Sequence, residues 1–154
     1  MMMDTMKRQL LKLFGLAALS GCAQAQTKSR SVSIASFNYT GRAIIDIMVD
    51  GAWAGIANAY SSSGYAQGLL APSDPNRVVK LKVKWVVADT YDIEKNKYSD
   101  MPNEHYEASV EVSRPYPLNP DYLVLHFYPD GHVEAELEAD HPKRRIPTPP
   151  GYHR

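Results

Sequence analysis

Apolar and polar residues alternate along most of the chain between residues 31 and 139. The clearest stretch is 77–89, where Val79, Leu81, Val83 and Trp85 alternate with three lysines. Alternation with a period of two places the two kinds of side chain on opposite faces of a β-strand. Similar stretches lie at 31–39, 43–49, 52–60, 105–113, 121–128 and 132–139. The pattern predicts an all-β domain of about seven strands, as a single antiparallel β-sandwich or partly open barrel.

Short turn sequences separate several of these strands. Thr40-Gly41-Arg42 is suited to a hairpin, Asp50-Gly51 turns the chain again, and Pro129-Asp130-Gly131 is the strongest turn signal of the sequence. Residues 58–76 are rich in Ser, Gly, Asn and Pro and are interpreted as one long loop. A loop of this length in a compact domain is often functional, so we keep it as a possible contact surface.

The charges on two strands suggest which strands are neighbours. The last predicted strand carries Glu134, Glu136 and Glu138 on one face, and the strand at 77–89 carries its lysines at 80–84. Opposite charges directly across a ladder contribute a few tenths of a kcal/mol. The sequence therefore predicts that these two strands lie side by side.

The first 21 residues have the layout of a lipoprotein signal peptide. Basic residues precede an apolar run at 13–19, which is shorter than the roughly 20 residues needed to span a bilayer. Leu19-Ser20-Gly21-Cys22 looks like a lipobox, in which the thiol of Cys22 receives a diacylglycerol and cleavage makes Cys22 the acylated N-terminus. We therefore expect the only cysteine of the chain to carry the lipid.

Other interpretations of this segment remain open. Ala23-Gln24-Ala25 also fits the cleavage site of an ordinary secreted protein, the apolar run also fits a buried helix, and translation can begin at Met1 or Met6. If Cys22 is lipidated, Ala rather than Asp at the next position predicts an outer-membrane lipoprotein that faces the periplasm. The small polar residues of 22–30 would then be a tether.

The remaining organisation is simple. After the signal peptide (1–21) and the tether (22–30), we predict one β domain (31–142) and a Pro-rich tail (143–154), which is either disordered or an extended strap. The signal takes three of the 17 basic residues and one of the 17 acidic residues, which leaves a small net negative charge. That balance predicts no binding of nucleic acid.

No motif for catalysis, a metal or a cofactor stands out. Ser61, Ser62 and Ser63 precede a glycine, but they lack the G-x-S-x-G pattern of a nucleophile elbow. His126 and His132 flank the turn at 129–131, yet two histidines without a third ligand are usually surface residues of strands. We expect a protein that is not an enzyme and that holds neither a metal nor a cofactor.

Tyrosine is the informative excess, with ten in 154 residues, many of them in or beside loops. Tyrosine combines a large rigid contact area with a polar tip and is enriched at the core of protein interfaces. The alternative is that tyrosines occupy half-buried faces of β-strands. Together they favour a binding protein, and the predicted contact residues are Trp53, Tyr60, Tyr65, Tyr91 and Tyr98.

Three stretches carry a family resemblance. They are "FNYTGRAIIDIMVDGAWAG" (37–55), "VVKLKVKW" (78–85) and "SRPYPLNPDYLVLHFYPDGHVEAELEADHP" (113–142). Behind a lipobox, these segments resemble the bacterial lipoproteins grouped as domain of unknown function 3304. Members often have a glycine-rich stretch with adjacent cysteines after the second strand, whereas this chain has no cysteine there.

The resemblance implies a small periplasm-facing lipoprotein of the kind found beside type VI secretion effectors of the phospholipase class. Such lipoproteins are proposed to be immunity proteins that neutralise the effector, here by covering its mouth or its membrane-docking face. A structural or envelope-assembly lipoprotein of the outer membrane is the alternative of a different class. A small-molecule binder or an enzyme with an unrecognised site is a third possibility.

Overall fold

The computed structural model describes residues 30–153, which form nine strands in two curled sheets. The all-β sandwich predicted from the alternation is thus confirmed, with two short strands added to the expected seven. The strands are β1 (Ser31–Asn38), β2 (Arg42–Val49), β3 (Ala52–Ala57), β4 (Ala66–Leu70), β5 (Lys80–Asp92), β6 (Lys97–Ser99), β7 (Glu104–Glu111), β8 (Tyr122–Phe127) and β9 (Val133–Glu138).

The first sheet has the strand order β4-β1-β8-β9. The second sheet has the order β3-β2-β5, and both β6 and β7 pair with the far edge of β5. All pairs are antiparallel except β1 and β8, which run parallel from Ser33 opposite Tyr122 to Asn38 opposite Phe127. Within residues 30–153, no helix is long and apolar enough to cross a membrane.

The core lies between the two sheets, where the alternating faces predicted it. On β5, Leu81, Val83 and Trp85 are buried, whereas the lysines between them are exposed. They pack with residues from β1, β2 and β8, including Ile34, Ile47, Leu125 and Phe127. Burial of such side chains contributes about 1.5–3 kcal/mol each and holds the sandwich together.

The hairpin predicted at Thr40-Gly41-Arg42 is wrong, because β1 and β2 belong to different sheets. The crossing between the sheets is fixed by Asn38, whose side chain is fully buried. Its Nδ2 lies 2.7, 3.1 and 3.0 Å from the carbonyl oxygens of Arg42, Ala57 and Asn58. Its Oδ1 accepts a hydrogen bond of 2.9 Å from the backbone N–H of Thr40. The side-chain amide of Asn38 thus links the end of β1 to the start of β2 and to the end of β3.

The other two predicted turns join antiparallel neighbours. Asp50-Gly51 connects β2 with β3, and Pro129-Asp130-Gly131 connects β8 with β9. The interpretation of 58–76 as one long loop is wrong in part, because β4 lies inside it and pairs with β1. Gly and Gln within that short strand concealed its alternation.

The predicted pairing of the lysine strand with the last strand is also wrong. The lysines of β5 face β7, where Glu107 lies 3.0 Å from Lys82 and 3.3 Å from Lys84. Strand β9 is an edge of the other sheet, and its Glu134 and Glu136 bind Arg145 instead. The lysines thus pair with a glutamate of the neighbouring strand, and the glutamates of β9 pair with an arginine of the C-terminal segment.

Candidate functional site

One polar cluster lies on the outer face of the first sheet, under the C-terminal segment 143–153, which we name the strap. His126 is fully buried there and stacks on Phe37 and Tyr39, with ring centroids 5.5 and 5.8 Å away. Its Nδ1 lies 2.7 Å from the Tyr39 hydroxyl, and its Nε2 lies 2.7 Å from a carboxylate oxygen of Glu136. The backbone N–H of Arg145 donates to the same tyrosine oxygen at 3.0 Å.

A neutral His126 satisfies every group of this cluster. The Tyr39 hydroxyl donates to Nδ1, Nε2–H donates to Glu136, and the Arg145 guanidinium binds Glu134 and Glu136. Burial lowers the pKa of His126, although the hydrogen bond to Glu136 opposes that shift. His126 is enclosed, and its hydrogen bonds are made within the protein. Because Arg145 binds Tyr39 and Glu136, the two partners of His126, the cluster attaches the strap to the sheet.

Burial opposes the ionisation of Glu136, but hydrogen bonds from its neighbours, His126 and Arg145 among them, outweigh burial and lower its pKa. The pKa of Glu138 is raised to about 7, first by burial and then by Glu136 beside it. A raised carboxyl pKa contributes stability below pH 4.5, and that contribution is lost as the pH rises through 7.

We therefore expect Glu138→Gln to gain stability relative to the wild type as the pH rises from about 5 to 8. The gain stays below about 1 kcal/mol because the carboxyl is partly exposed and screened. Melting temperatures of both proteins across this range measure it, and the difference between them cancels the titration of His126. Glu94→Gln, at an exposed turn, is the control, and a difference that is flat with pH would contradict the expectation.

A second group of residues lies at the end of the sandwich where β1 ends, which we name the distal end. Four tyrosines pack there in a chain of edge-to-face contacts. The ring centroids of Tyr60 and Tyr152 are 5.7 Å apart, those of Tyr152 and Tyr91 5.3 Å, and those of Tyr91 and Tyr98 5.1 Å. Tyr152 comes from the strap, so the strap completes this tyrosine cluster.

The positions of these rings are fixed by the backbone around them. The Tyr98 hydroxyl accepts a hydrogen bond of 2.9 Å from the backbone N–H of Ala59. Gly41 lies against Tyr60, and a Cβ there would stand 2.7 Å from the tyrosine hydroxyl oxygen. Tyr91 is only 6% exposed, so it supports the cluster from beneath and presents little surface of its own.

A cleft of about 350 Å³ opens beside the tyrosine cluster, between the second sheet and the β8–β9 turn. Its wall includes Arg42, whose Nε donates to the carbonyl oxygen of Ala88 at 2.8 Å and whose guanidinium pairs with Glu104. Hydrogen bonds from Tyr106 and Arg42 lower the pKa of Glu104. His132 closes the other side and stacks on Tyr128 at 4.2 Å. The distal end thus offers rigid aromatic surface with charged groups at its rim.

The structure does not bring the five predicted contact residues together. Tyr60, Tyr91 and Tyr98 meet at the distal end, whereas Trp53 lies on β3 and is 56% exposed. Tyr65 packs against His141 on the outer face of the first sheet, with ring centroids 5.6 Å apart. Cys22 and the predicted signal peptide and tether up to residue 29 lie outside the described residues.

Sequence reasoning missed Tyr152, Tyr106 and Arg42 at the distal end. Tyr106 lies opposite Trp85 and stacks on it, and Arg42 falls in the predicted hairpin turn. A sequence signal for Tyr152 does exist, because an aromatic residue after the prolines of the tail suggests a segment that packs against the domain. The rings of His126 and His132 both contact Tyr128. Within residues 30–153, no group of three or more His, Cys, Asp or Glu residues is arranged to hold a metal ion.

A protein-family model described as "Protein of unknown function (DUF3304)" matches residues 37–135, which is more than half of the chain. The matched region begins at Phe37 in β1 and ends at Ala135 in β9, so it spans both sheets. No curated protein and no solved structure matches the chain.

Proposed function

Since the chain belongs to the DUF3304 family, we propose that it is an outer-membrane lipoprotein that faces the periplasm and neutralises a secreted phospholipase-type effector as its immunity protein. The resemblance to lipoproteins found beside such effectors suggests the partner. The lipobox ending at Cys22 suggests the anchor.

The observation that carries the proposal is the tyrosine cluster at the distal end. Its rings are held by one another and by the backbone, so little side-chain entropy is lost when a partner covers them. Rigid tyrosines with charged groups at the rim are typical of the central contacts of protein interfaces. We place the partner over Tyr60, Tyr98 and the adjoining cleft.

Inhibition at such a surface is steric. A domain of this size, seated on the mouth or the membrane-docking face of a lipase, blocks access to lipid without any chemistry of its own. A lipid on Cys22 would confine the protein to the membrane that the enzyme attacks, which raises its effective concentration there.

The test is capture from the producing strain with the chain from residue 23 as bait, followed by a phospholipase assay on what is captured. Capture of one secreted phospholipase with loss of its activity supports the proposal. Capture of envelope components alone, with no enzyme inhibited, would favour the envelope-assembly lipoprotein instead.

Within that complex, Tyr60→Ala is expected to weaken binding by about 2 kcal/mol, or roughly thirtyfold, because a central aromatic contact is lost. Titration calorimetry with the captured enzyme measures the change. Tyr65→Ala is the matched control, because Tyr65 lies on another face and is 53% exposed. Equal losses in both variants would place the contact surface elsewhere.

A further inference from the structure

The proximal end of the sandwich, where β1 begins, opens into an apolar cavity of about 760 Å³ between the two sheets. Core residues of both sheets form its floor, among them Val32, Leu81 and Leu123. Leu70 and Leu118 stand at its rim with exposed fractions of 67% and 71%, the highest of any large apolar side chain within residues 30–153.

Two other residues at the proximal end are also apolar and exposed. Val78 is 49% exposed on the same rim, and Trp53 follows the Asp50-Gly51 turn that borders the cavity. Concentration of exposed apolar side chains at one end of a domain marks a surface that binds something apolar. Tryptophan beside such a rim is typical of residues placed at a membrane–water interface.

Basic side chains surround the rim. Arg30, Arg77 and Lys80 line the cavity, whereas Asp50 is the acidic residue in its lining. Arg30 also pairs with Asp121. Long basic side chains can lie along apolar surface while their charged ends reach lipid phosphates.

The position of the predicted tether indicates that the apolar rim binds the membrane. Arg30 lies on the rim, and seven residues, 23–29, separate it from Cys22. The eight Cα–Cα steps from Cys22 to Arg30 span at most about 28 Å even when the chain is fully extended. A lipid on Cys22 therefore holds this end of the domain within about 28 Å of the bilayer.

We propose that the proximal end is a membrane-docking surface, which inserts Leu70, Val78 and Leu118 into the interfacial region of the bilayer. The orientation rests on the lipid anchor of the proposed function. With the proximal end on the bilayer, the distal end and its tyrosine cluster face away from the membrane, where they are open to a partner.

A thiol probe tests the docking in the lipidated protein, reconstituted in vesicles of phosphatidylethanolamine and phosphatidylglycerol. Cys22 is blocked by its lipid, so Leu118→Cys provides the single free thiol for a fluorophore. We expect nitroxide-labelled lipids to quench this probe strongly and a probe at Asp130→Cys, in the distal turn, weakly. Equal quenching at the two positions would overturn the proposal.

A second arm needs no lipid anchor. The chain from residue 23 is titrated with the same vesicles, and the fluorescence of Trp53 is followed in a Trp85→Phe background. We expect the double variant Leu70→Ser, Leu118→Ser to bind about tenfold more weakly, and the control Ile56→Ser, exposed on β3, to bind unchanged. No binding by the unsubstituted chain, or a response to a free fatty acid but not to vesicles, would also overturn docking.

Lipidation of Cys22 is tested separately, by incorporation of labelled palmitate in the producing strain. Absence of label with vesicle binding retained would remove the anchor and leave the docking surface. Incorporation of label with equal quenching at both probes would leave the anchor and remove the docking surface.

Discussion

Asn38→Ala is expected to destabilise the protein by about 3 kcal/mol. The substitution removes the hydrogen bonds of a fully buried amide and takes one donor away from each of the backbone carbonyl oxygens of Arg42, Ala57 and Asn58. It also leaves a cavity at the crossing between the two sheets. Urea denaturation followed by circular dichroism measures the change in the free energy of unfolding.

Two further variants separate the hydrogen bonds from the packing. Asn38→Asp keeps the volume but replaces the donor by an acceptor that faces the same three carbonyl oxygens, so we expect a loss at least as large. Asn76→Ala, at an exposed turn, is the control and is expected to change stability by less than about 0.5 kcal/mol. A loss below about 1 kcal/mol for Asn38→Ala would show that the amide does not hold the crossing.

His126→Ala is the second variant with a large expected effect, again about 3 kcal/mol. It empties a fully buried site beside Phe37 and removes one of the hydrogen-bond partners of the Tyr39 hydroxyl and of the Glu136 carboxylate. Because Tyr39 also accepts from the backbone of Arg145, the strap loses part of its attachment.

The attachment of the strap gives this variant a readout besides global stability. We expect trypsin to cleave at Arg144 and Arg145 faster in His126→Ala than in the wild type, under conditions where both proteins remain folded. His105→Ala is the matched control, because His105 is exposed on β7 in the second sheet. Unchanged cleavage in His126→Ala would show that the strap is held by other contacts.

The alternation of the sequence predicted the sheets well, because burial on one face has a period that can be read directly. In β5 the apolar positions became core and the lysines became surface. In β8 the run Tyr122–Phe127 contains a single residue that ionises near neutral pH, His126, and is otherwise apolar or aromatic on both faces, which indicates a strand covered on both sides. The sequence of β8 thus indicates a cover on its outer face, but the strap that forms this cover has no periodic pattern from which it could be predicted.

Strand order could not be read from charge. The lysines of β5 had acidic candidates on two strands, and the chain takes the one that follows β5 closely in sequence. Glu134 and Glu136 of β9 pair with Arg145, which reaches them from an irregular segment. A few tenths of a kcal/mol per pair is too little to decide topology against the burial of β1 and β8.

The candidate site was predictable in residue type but not in place. Tyrosines beside loops indicated a contact surface, and three of the five named residues meet at one end. Trp53 and Tyr65 lie elsewhere because their position depends on strand order. The fourth tyrosine, Tyr152, lies more than fifty residues after the other three, and only the folded strap shows that it belongs to the cluster.

The parallel pairing of β1 with β8 has a consequence for how the protein acquires its fold. The first strand is synthesised early, but its central partner lies about ninety residues later, from Tyr122 to Phe127. Closing so long a loop costs entropy before any contact repays it, and contacts of high sequence separation slow folding. The first sheet can therefore assemble only when nearly all of the chain has emerged, and until then the apolar faces of β1 have to be shielded by other means.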